Sequence, residues 1–262
     1  MSDSNVSAVP KARPRSPIRK AVVERVEQLS RRVRRITLHG DALEGFAPPR
    51  PAAHIKLHIL PHGEDWPTDD MVPRPPRRTY TPRTFDPATR RLVVDFVLHG
   101  HGLASHWAEN AEPGHAMYVS GPGGGYDVAA DAQTLVLVAD DTALPAVGMI
   151  LESLQPGCRA VVLAEVADAD EQRALAAPGN YEVRWFDRAA SSAVPGALLE
   201  RAVAETDMPA GSYWWIASEA ASMRRMRKDL AGRRGIPMTR LHTRGYWKLG
   251  ETAYPDHDYG ND

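Results

Sequence analysis

Arg78-Thr79-Tyr80-Thr81 places a guanidinium, an aromatic face and a hydroxyl in one short run. That set suits a flavin. The arginine pairs with a phosphate, the tyrosine covers the ring and the threonine reaches a polar ring edge. Farther along, His99-Gly100-His101-Gly102-Leu103-Ala104-Ser105-His106-Trp107 reads as a strand end, a glycine turn and a helix start. A helix start offers free backbone N–H groups and a positive dipole end to a pyrophosphate. Each stretch alone is an ordinary strand or turn. Their order suggests a flavin dinucleotide.

Other reactive residue types are less organised. Ten histidines include the neighbouring pairs His54/His58 and His99/His101, and on a strand residues i and i+2 share a face. No third ligand is evident, so we expect no metal site. The single cysteine, Cys158, excludes an intrachain disulfide, a Cys-ligated iron–sulfur cluster and a multi-Cys zinc site within the chain. Redox chemistry must then come from an organic cofactor or a partner. No Ser-His-Asp arrangement or P-loop is apparent. Met223-Arg224-Arg225-Met226-Arg227-Lys228 is a basic run, either a solvated helix face or a contact for a 2′-phosphate or an acidic protein.

These groups need elements to position them. The chain has 262 residues, 43% hydrophobic and 25% charged, which is enough for two small domains. No apolar run approaches the ~18 residues that span a bilayer, and no secretory signal is visible. Net charge is −1, which points to neither nucleic acid nor membrane. We expect a cytoplasmic monomer. Residues 1–16 read as a flexible tail rich in Ser, Pro, Lys and Arg. Residues 17–127 carry β-branched alternation, with strands expected at Arg19 to Leu29, Val33 to His39, His54 to Leu60, Arg77 to Arg83, Arg91 to Leu98 and Ala116 to Ser120. With a short helix over Ala104 to Ala111, they suggest a small antiparallel β-barrel.

Residues 128–250 change pattern. Leu135 to Ala139 is a continuous apolar run, as in a strand buried on both faces. Asp140 to Pro145 opens a helix that reaches Leu154. Strands follow at Arg159 to Glu165, Tyr181 to Phe186 and Ser212 to Ala217, and Thr239 to Lys248 closes the domain. Helices are expected at Asp170 to Ala177, Ala197 to Glu205 and Ala220 to Arg233. This alternation predicts a doubly wound parallel sheet of the NAD(P)H-binding kind. Residues 251–262 form a C-terminal tail.

Four blocks then carry a family resemblance: His54-Ile55-Lys56-Leu57; Arg78-Thr79-Tyr80-Thr81; Gly102-Leu103-Ala104-Ser105-His106-Trp107-Ala108 with Gly121-Pro122-Gly123-Gly124; and Asp141-Thr142-Ala143-Leu144-Pro145-Ala146. The ending Gly245-Tyr246-Trp247-Lys248-Leu249-Gly250 adds to them. Over Ile18 to Gly250 the chain resembles the siderophore-interacting proteins, flavin-dependent ferric-siderophore reductases related to the ferredoxin reductases. The resemblance implies FAD in the barrel, held by Arg78, Thr79, Tyr80 and Thr81. It puts Asp95, Val97 and His99 along the ribityl and pyrophosphate side, with Gly102, Ala104, Ser105 and Trp107 at the helix start. Thr142 faces the flavin from the second domain, and Trp247 is the terminal aromatic against it.

The implied activity is single-electron transfer from reduced FAD to Fe(III) in a ferric siderophore. Fe(II) is held less well by hard oxygen chelators, so iron is released. Lys56 and Lys248 are the candidates for holding an anionic ferric complex. NADPH or NADH is the expected donor, with Glu219, Arg224 and Arg225 as its contacts and ferredoxin as the alternative. Two departures stand out. Gly123 sits where many relatives carry a basic residue. Asp140 and Asp141 replace a Gly-rich turn, and two carboxylates repel a pyrophosphate. A general flavin reductase serving a protein partner, and a siderophore-binding module with little turnover, are the competing readings.

Overall fold

In the computed structural model, residues 16–67, 73–175, 177, 179–254 and 258–260 are described. The expected flexible tail, residues 1–16, lies outside them apart from Ser16. The first sheet contains β1 (Arg19–Ser30), β2 (Val33–His39), β3 (Ala53–His58), β4 (Arg77–Tyr80), β5 (Pro82–Asp86), β6 (Arg91–Val97) and β7 (Ala116–Gly124), with α1 (Leu103–Glu109) between the last two. Alternation builds it: Ile36 and Leu38 on β2, Ile55 and Leu57 on β3 and Leu92, Val94 and Phe96 on β6 point into one core.

The strand order is β4-β3-β7-β1-β2-β6-β5, and every pairing is antiparallel. The two edge strands, β4 and β5, are consecutive in the chain and separated by Thr81 alone. The sheet therefore curls into a barrel whose seam is joined covalently at Thr81. The single strand expected over Arg77 to Arg83 is corrected to two. Pro82 supplies no N–H for a continuous ladder and restricts the residue before it, so the chain changes edges there.

The second domain comprises β8 (Thr134–Asp140), α2 (Leu144–Glu152), β9 (Arg159–Val166), β10 (Asn180–Asp187), α3 (Arg188–Ser191), α4 (Ala197–Glu205), β11 (Tyr213–Glu219), α5 (Ala220–Lys228) and β12 (Leu241–Trp247). Its sheet is parallel, in the order β10-β9-β8-β11-β12. Alternate residues of β8 serve the two faces. Leu135 and Leu137 pack with α2, while Val136 and Val138 pack with α4 and α5. Both faces are thus covered, which is why this strand reads as an uninterrupted apolar run.

Two helix expectations are corrected. Among the described residues of Asp170 to Ala177 there is only a 3-10 turn, Ala169–Glu171. Glu171 spends its carboxylate on the β1–β2 turn of the barrel, accepting from the Arg32 N–H at 3.0 Å and from the Ser30 hydroxyl. Side chains held across to another domain leave no amphipathic stripe to stabilise a helix. The helix expected over Ala220 to Arg233 is α-helical to Lys228 and widens into a π turn over Asp229–Arg233.

Several ties join the domains. Besides Glu171, Arg31 pairs with Asp168 at 2.6 Å, and Arg83 of β5 pairs with Glu152 of α2. The C-terminal tail also returns to the body: Asp258 O accepts from Gly245 N at 2.9 Å and Tyr259 O from the Thr243 hydroxyl at 2.6 Å. Among the described residues, no helix is long and apolar enough to cross a membrane.

Candidate functional site

The barrel seam gathers the first group of expected residues. Arg78 and Tyr80 stand opposite Leu57 and Ile55, while Thr79 stands opposite Lys56. The Tyr80 ring lies 4.6 Å from Phe96, and burial pushes its phenol pKa up. Thr81 is buried, and its side chain approaches the Tyr246 phenol of β12 closely enough to lower that group's pKa. That approach sets the seam against the second domain. Burial also pushes the Tyr246 phenol up to about 12, so it stays neutral. Arg78 donates to its neighbour's carbonyl, Arg77 O, at 2.9 Å. Among the described residues no carboxylate lies within ion-pair distance of it.

On the other side of the barrel, Asp95 is buried and bound by Arg35 through two bonds of 2.7 and 2.9 Å. Its carboxylate is therefore balanced inside the fold. Val97 is half-buried, and His99 and Gly102 are exposed at the turn before α1. Gly102 has a φ of +81°, a conformation glycine adopts without strain, and puts no side-chain cap on the helix. The Ser105 hydroxyl accepts from His99 N at 3.1 Å and donates to Glu109 at 3.0 Å. Ala104 and Trp107 are buried; the indole stacks on His62 at 5.5 Å and lies 5.8 Å from Phe96.

The second domain presents the carboxyl ends of β8, β11 and β12. Asp140, at the end of β8, is 3% exposed and organises all three. One oxygen accepts from the N–H and hydroxyl of Thr142 at 3.0 and 2.5 Å; the other accepts from the Trp247 indole at 2.8 Å and Glu219 N at 3.0 Å. Burial, with Asp141 adding repulsion, pushes its pKa up to about 6. Asp141 is met by Arg188 at 3.3 and 3.4 Å, and the same guanidinium reaches Glu165 at 3.1 Å. Arg188, which no sequence spacing connects to it, thus offsets the charge of Asp141, while Asp140 is met by neutral donors alone. Glu219 is buried and caps α5, accepting from Ser222 N at 2.8 Å, and also takes Leu249 N at 3.3 Å.

The expected donor and substrate contacts are dispersed. Arg225 is bound by Glu200 through two bonds of 2.8 Å, and Arg224 meets Asp258 at 3.1 Å. Lys56 donates to Thr79 at 2.7 Å, and Lys248 pairs with Glu251 at 2.5 Å. Gly123 stands beside His54. A β-carbon there would lie 3.4 Å from the His54 imidazole, whose other nitrogen is 3.4 Å from Arg244. No group of three or more His, Cys, Asp or Glu that could hold a metal occurs among the described residues. Arg35, Arg188 and Tyr246 went unnoticed as site residues; each acts through a fold contact far away in the sequence.

Family models agree with both halves. Residues 22–126 match the siderophore-interacting FAD-binding domain, and residues 132–250 match the siderophore-interacting protein model. The chain belongs to the siderophore-interacting protein family. It is 31% identical over 247 residues to the NADPH-dependent ferric-chelate reductase of Escherichia coli, covering 87% of this chain and 92% of that one. It is 28% identical over 251 residues to the ferric vibriobactin reductase of Vibrio cholerae, covering 89% and 90%. The crystal structure of a siderophore utilization protein from T. fusca superposes with a TM-score of 0.81 at 32% identity, covering 92% of this chain and 96% of that one.

Proposed function

We propose that this protein is an FAD-dependent ferric-siderophore reductase that draws its electrons from NADPH. The observation that carries the reading is the junction where Thr81 of the barrel seam approaches Tyr246 of β12, beside the Thr142 and Trp247 cluster held by Asp140. It lies at the carboxyl ends of the parallel strands, where such sheets bind ligands. The residues present fit a flavin dinucleotide. Among the described residues Arg78 has no carboxylate partner, and one fully buried guanidinium nitrogen, Arg173 Nη1, has no hydrogen-bond partner.

Bound FAD would take a hydride from the nicotinamide and release electrons singly to Fe(III). In this reading Arg78 pairs with a flavin phosphate, while Tyr80 and Thr81 set the ring position. Asp140 holds Thr142 and Trp247 at fixed places on the opposite side. Lys56 and Lys248 draw anionic ferric complexes toward the flavin edge. The iron belongs to the substrate, which brings its own ligands. Arg224 and Arg225, the expected donor contacts, already face carboxylates.

Anaerobic stopped-flow tests the reading. NADPH is expected to bleach the flavin, and ferric siderophore to restore its colour. Bleaching by reduced ferredoxin but not by millimolar NADPH or NADH would overturn the donor. Reoxidation by quinones or cytochrome but not by ferric siderophores would point to a general flavin reductase.

A further inference from the structure

Arg173 follows the 3-10 turn Ala169–Glu171, after β9. Its Nη1 is fully buried and has no hydrogen-bond partner. Among the described residues no carboxylate lies within ion-pair distance of the side chain either. A buried cationic N–H without a partner is costly, and folded proteins rarely leave one.

The surroundings explain why none of the nearby acids has taken it. Arg173 lies within electrostatic reach of Asp95, Asp141 and Glu171, with Arg35 as the nearby cation. Asp95 belongs to the barrel, whereas Asp141 and Glu171 belong to the second domain, so Arg173 stands in the cleft between them. Each acid is already engaged. Both oxygens of Asp95 are bound by Arg35, and both of Asp141 by Arg188. Glu171 uses one oxygen on Arg32 N and the other on Ser30. Other donors occupy the acids' oxygens, and one guanidinium nitrogen remains over. It also lies just past the carboxyl end of β9, on the ligand-binding edge of the sheet.

We infer that Arg173 is a phosphate-binding residue of the interdomain cleft, receiving a phosphate of a bound dinucleotide. The inference rests on the reading of this chain as a dinucleotide-dependent reductase. A planar guanidinium with a free N–H edge is suited to phosphate oxygens, which it binds through charge-assisted bonds. Two dinucleotides share that chemistry: FAD through its pyrophosphate, and NADPH through its phosphates.

The full chain, stripped of flavin, decides between them. Wild type, Arg173→Gln and Arg173→Lys are titrated with FAD and with riboflavin, which has no phosphate. The reloaded proteins are then titrated with NADPH. If the flavin supplies the phosphate, Arg173→Gln binds FAD about tenfold or more weakly while riboflavin affinity is unchanged. If the donor supplies it, FAD affinity is unchanged and the NADPH needed for half-maximal bleaching rises about tenfold or more. Arg173→Lys, which keeps the charge but loses the fork, should fall between the other two. Thermal melting of the flavin-free proteins gives a separate readout. Removing an unpartnered buried charge should leave the melting point equal or higher. Unchanged affinities for FAD and NADPH in both variants would overturn the inference, as would a lower melting point with intact binding, because Arg173 would then be a structural residue. Failure of the wild type itself to bind FAD would count against the reductase reading instead.

Discussion

At the scale of single residues, Arg78 and Asp140 have opposite characters. Arg78 is a half-buried cation with no acid beside it among the described residues, and in the proposed reading it receives a phosphate. Charge-assisted pairing of this kind contributes about 1.5–3 kcal/mol. Arg78→Ala is therefore expected to bind FAD roughly tenfold to a hundredfold more weakly. Equilibrium dialysis or fluorescence titration reads this directly, and an unchanged dissociation constant would remove Arg78 from the site. Asp140 is a buried acid fully used by internal donors, with its pKa raised to about 6 from a reference of 3.8. The folded state holds this proton more tightly than the unfolded chain does. The cost of keeping Asp140 ionised is present above pH 6 and is relieved as pH falls from about 6 toward 4. Relative to Asp140→Asn, the wild type should gain about 1 kcal/mol of unfolding free energy between pH 7 and pH 5. Urea unfolding at both values tests it; a loss of that size would reverse the sign and refute the assignment.

At the scale of elements, the site depends on how strands and helices are pinned to one another. Gly196, at the start of α4, is a clear case. Its N–H donates to the buried Glu165 of β9 at 2.8 Å, and its carbonyl accepts from Ser222 of α5 at 3.0 Å. Its φ is +86°, and a β-carbon would collide with the Ser222 side chain. Gly196→Ala combines a left-handed backbone penalty with a clash in a packed interior. We expect a loss of about 2 kcal/mol and a drop in melting temperature of roughly 4–8 °C. A calorimetric scan showing no shift would mean that α4 and α5 can slide apart freely. The α4 bounds were legible because its apolar spacing is regular. The β9–β10 connection was not, because its residues serve contacts with the barrel instead of a local period.

At the scale of the whole molecule, the net charge of −1 provides no long-range attraction for an anionic substrate. Any preference for anionic ferric complexes must come from local cations such as Lys56 and Lys248. Lys56→Ala and Lys248→Ala should raise the apparent KM for anionic ferric siderophores, by about twofold to fivefold for an exposed charge. They should leave flavin content and donor-driven bleaching unchanged. The difference should shrink with added salt, since screening acts over ~8 Å at physiological ionic strength. Equal losses with a neutral ferric chelate would argue against selection by charge.

The order of the residues carried the barrel, the parallel sheet and the Arg78 to Thr81 motif, because alternation, apolar runs and glycine turns are local properties. Sequence blocks also pointed to the family, from His54 to Gly250. Only the tertiary structure decided how those parts meet. It made Thr81 the seam of the barrel and set it against Tyr246. It placed Arg35 on Asp95 and Arg188 on Asp141, and left Asp140 to neutral donors. It drew Arg224 and Arg225 toward carboxylates and left Arg173 with an unpartnered nitrogen in the cleft. Each outcome depends on which charges lie a few ångströms apart after folding, and charges distant in the chain acquire that proximity only through the packing of the two domains.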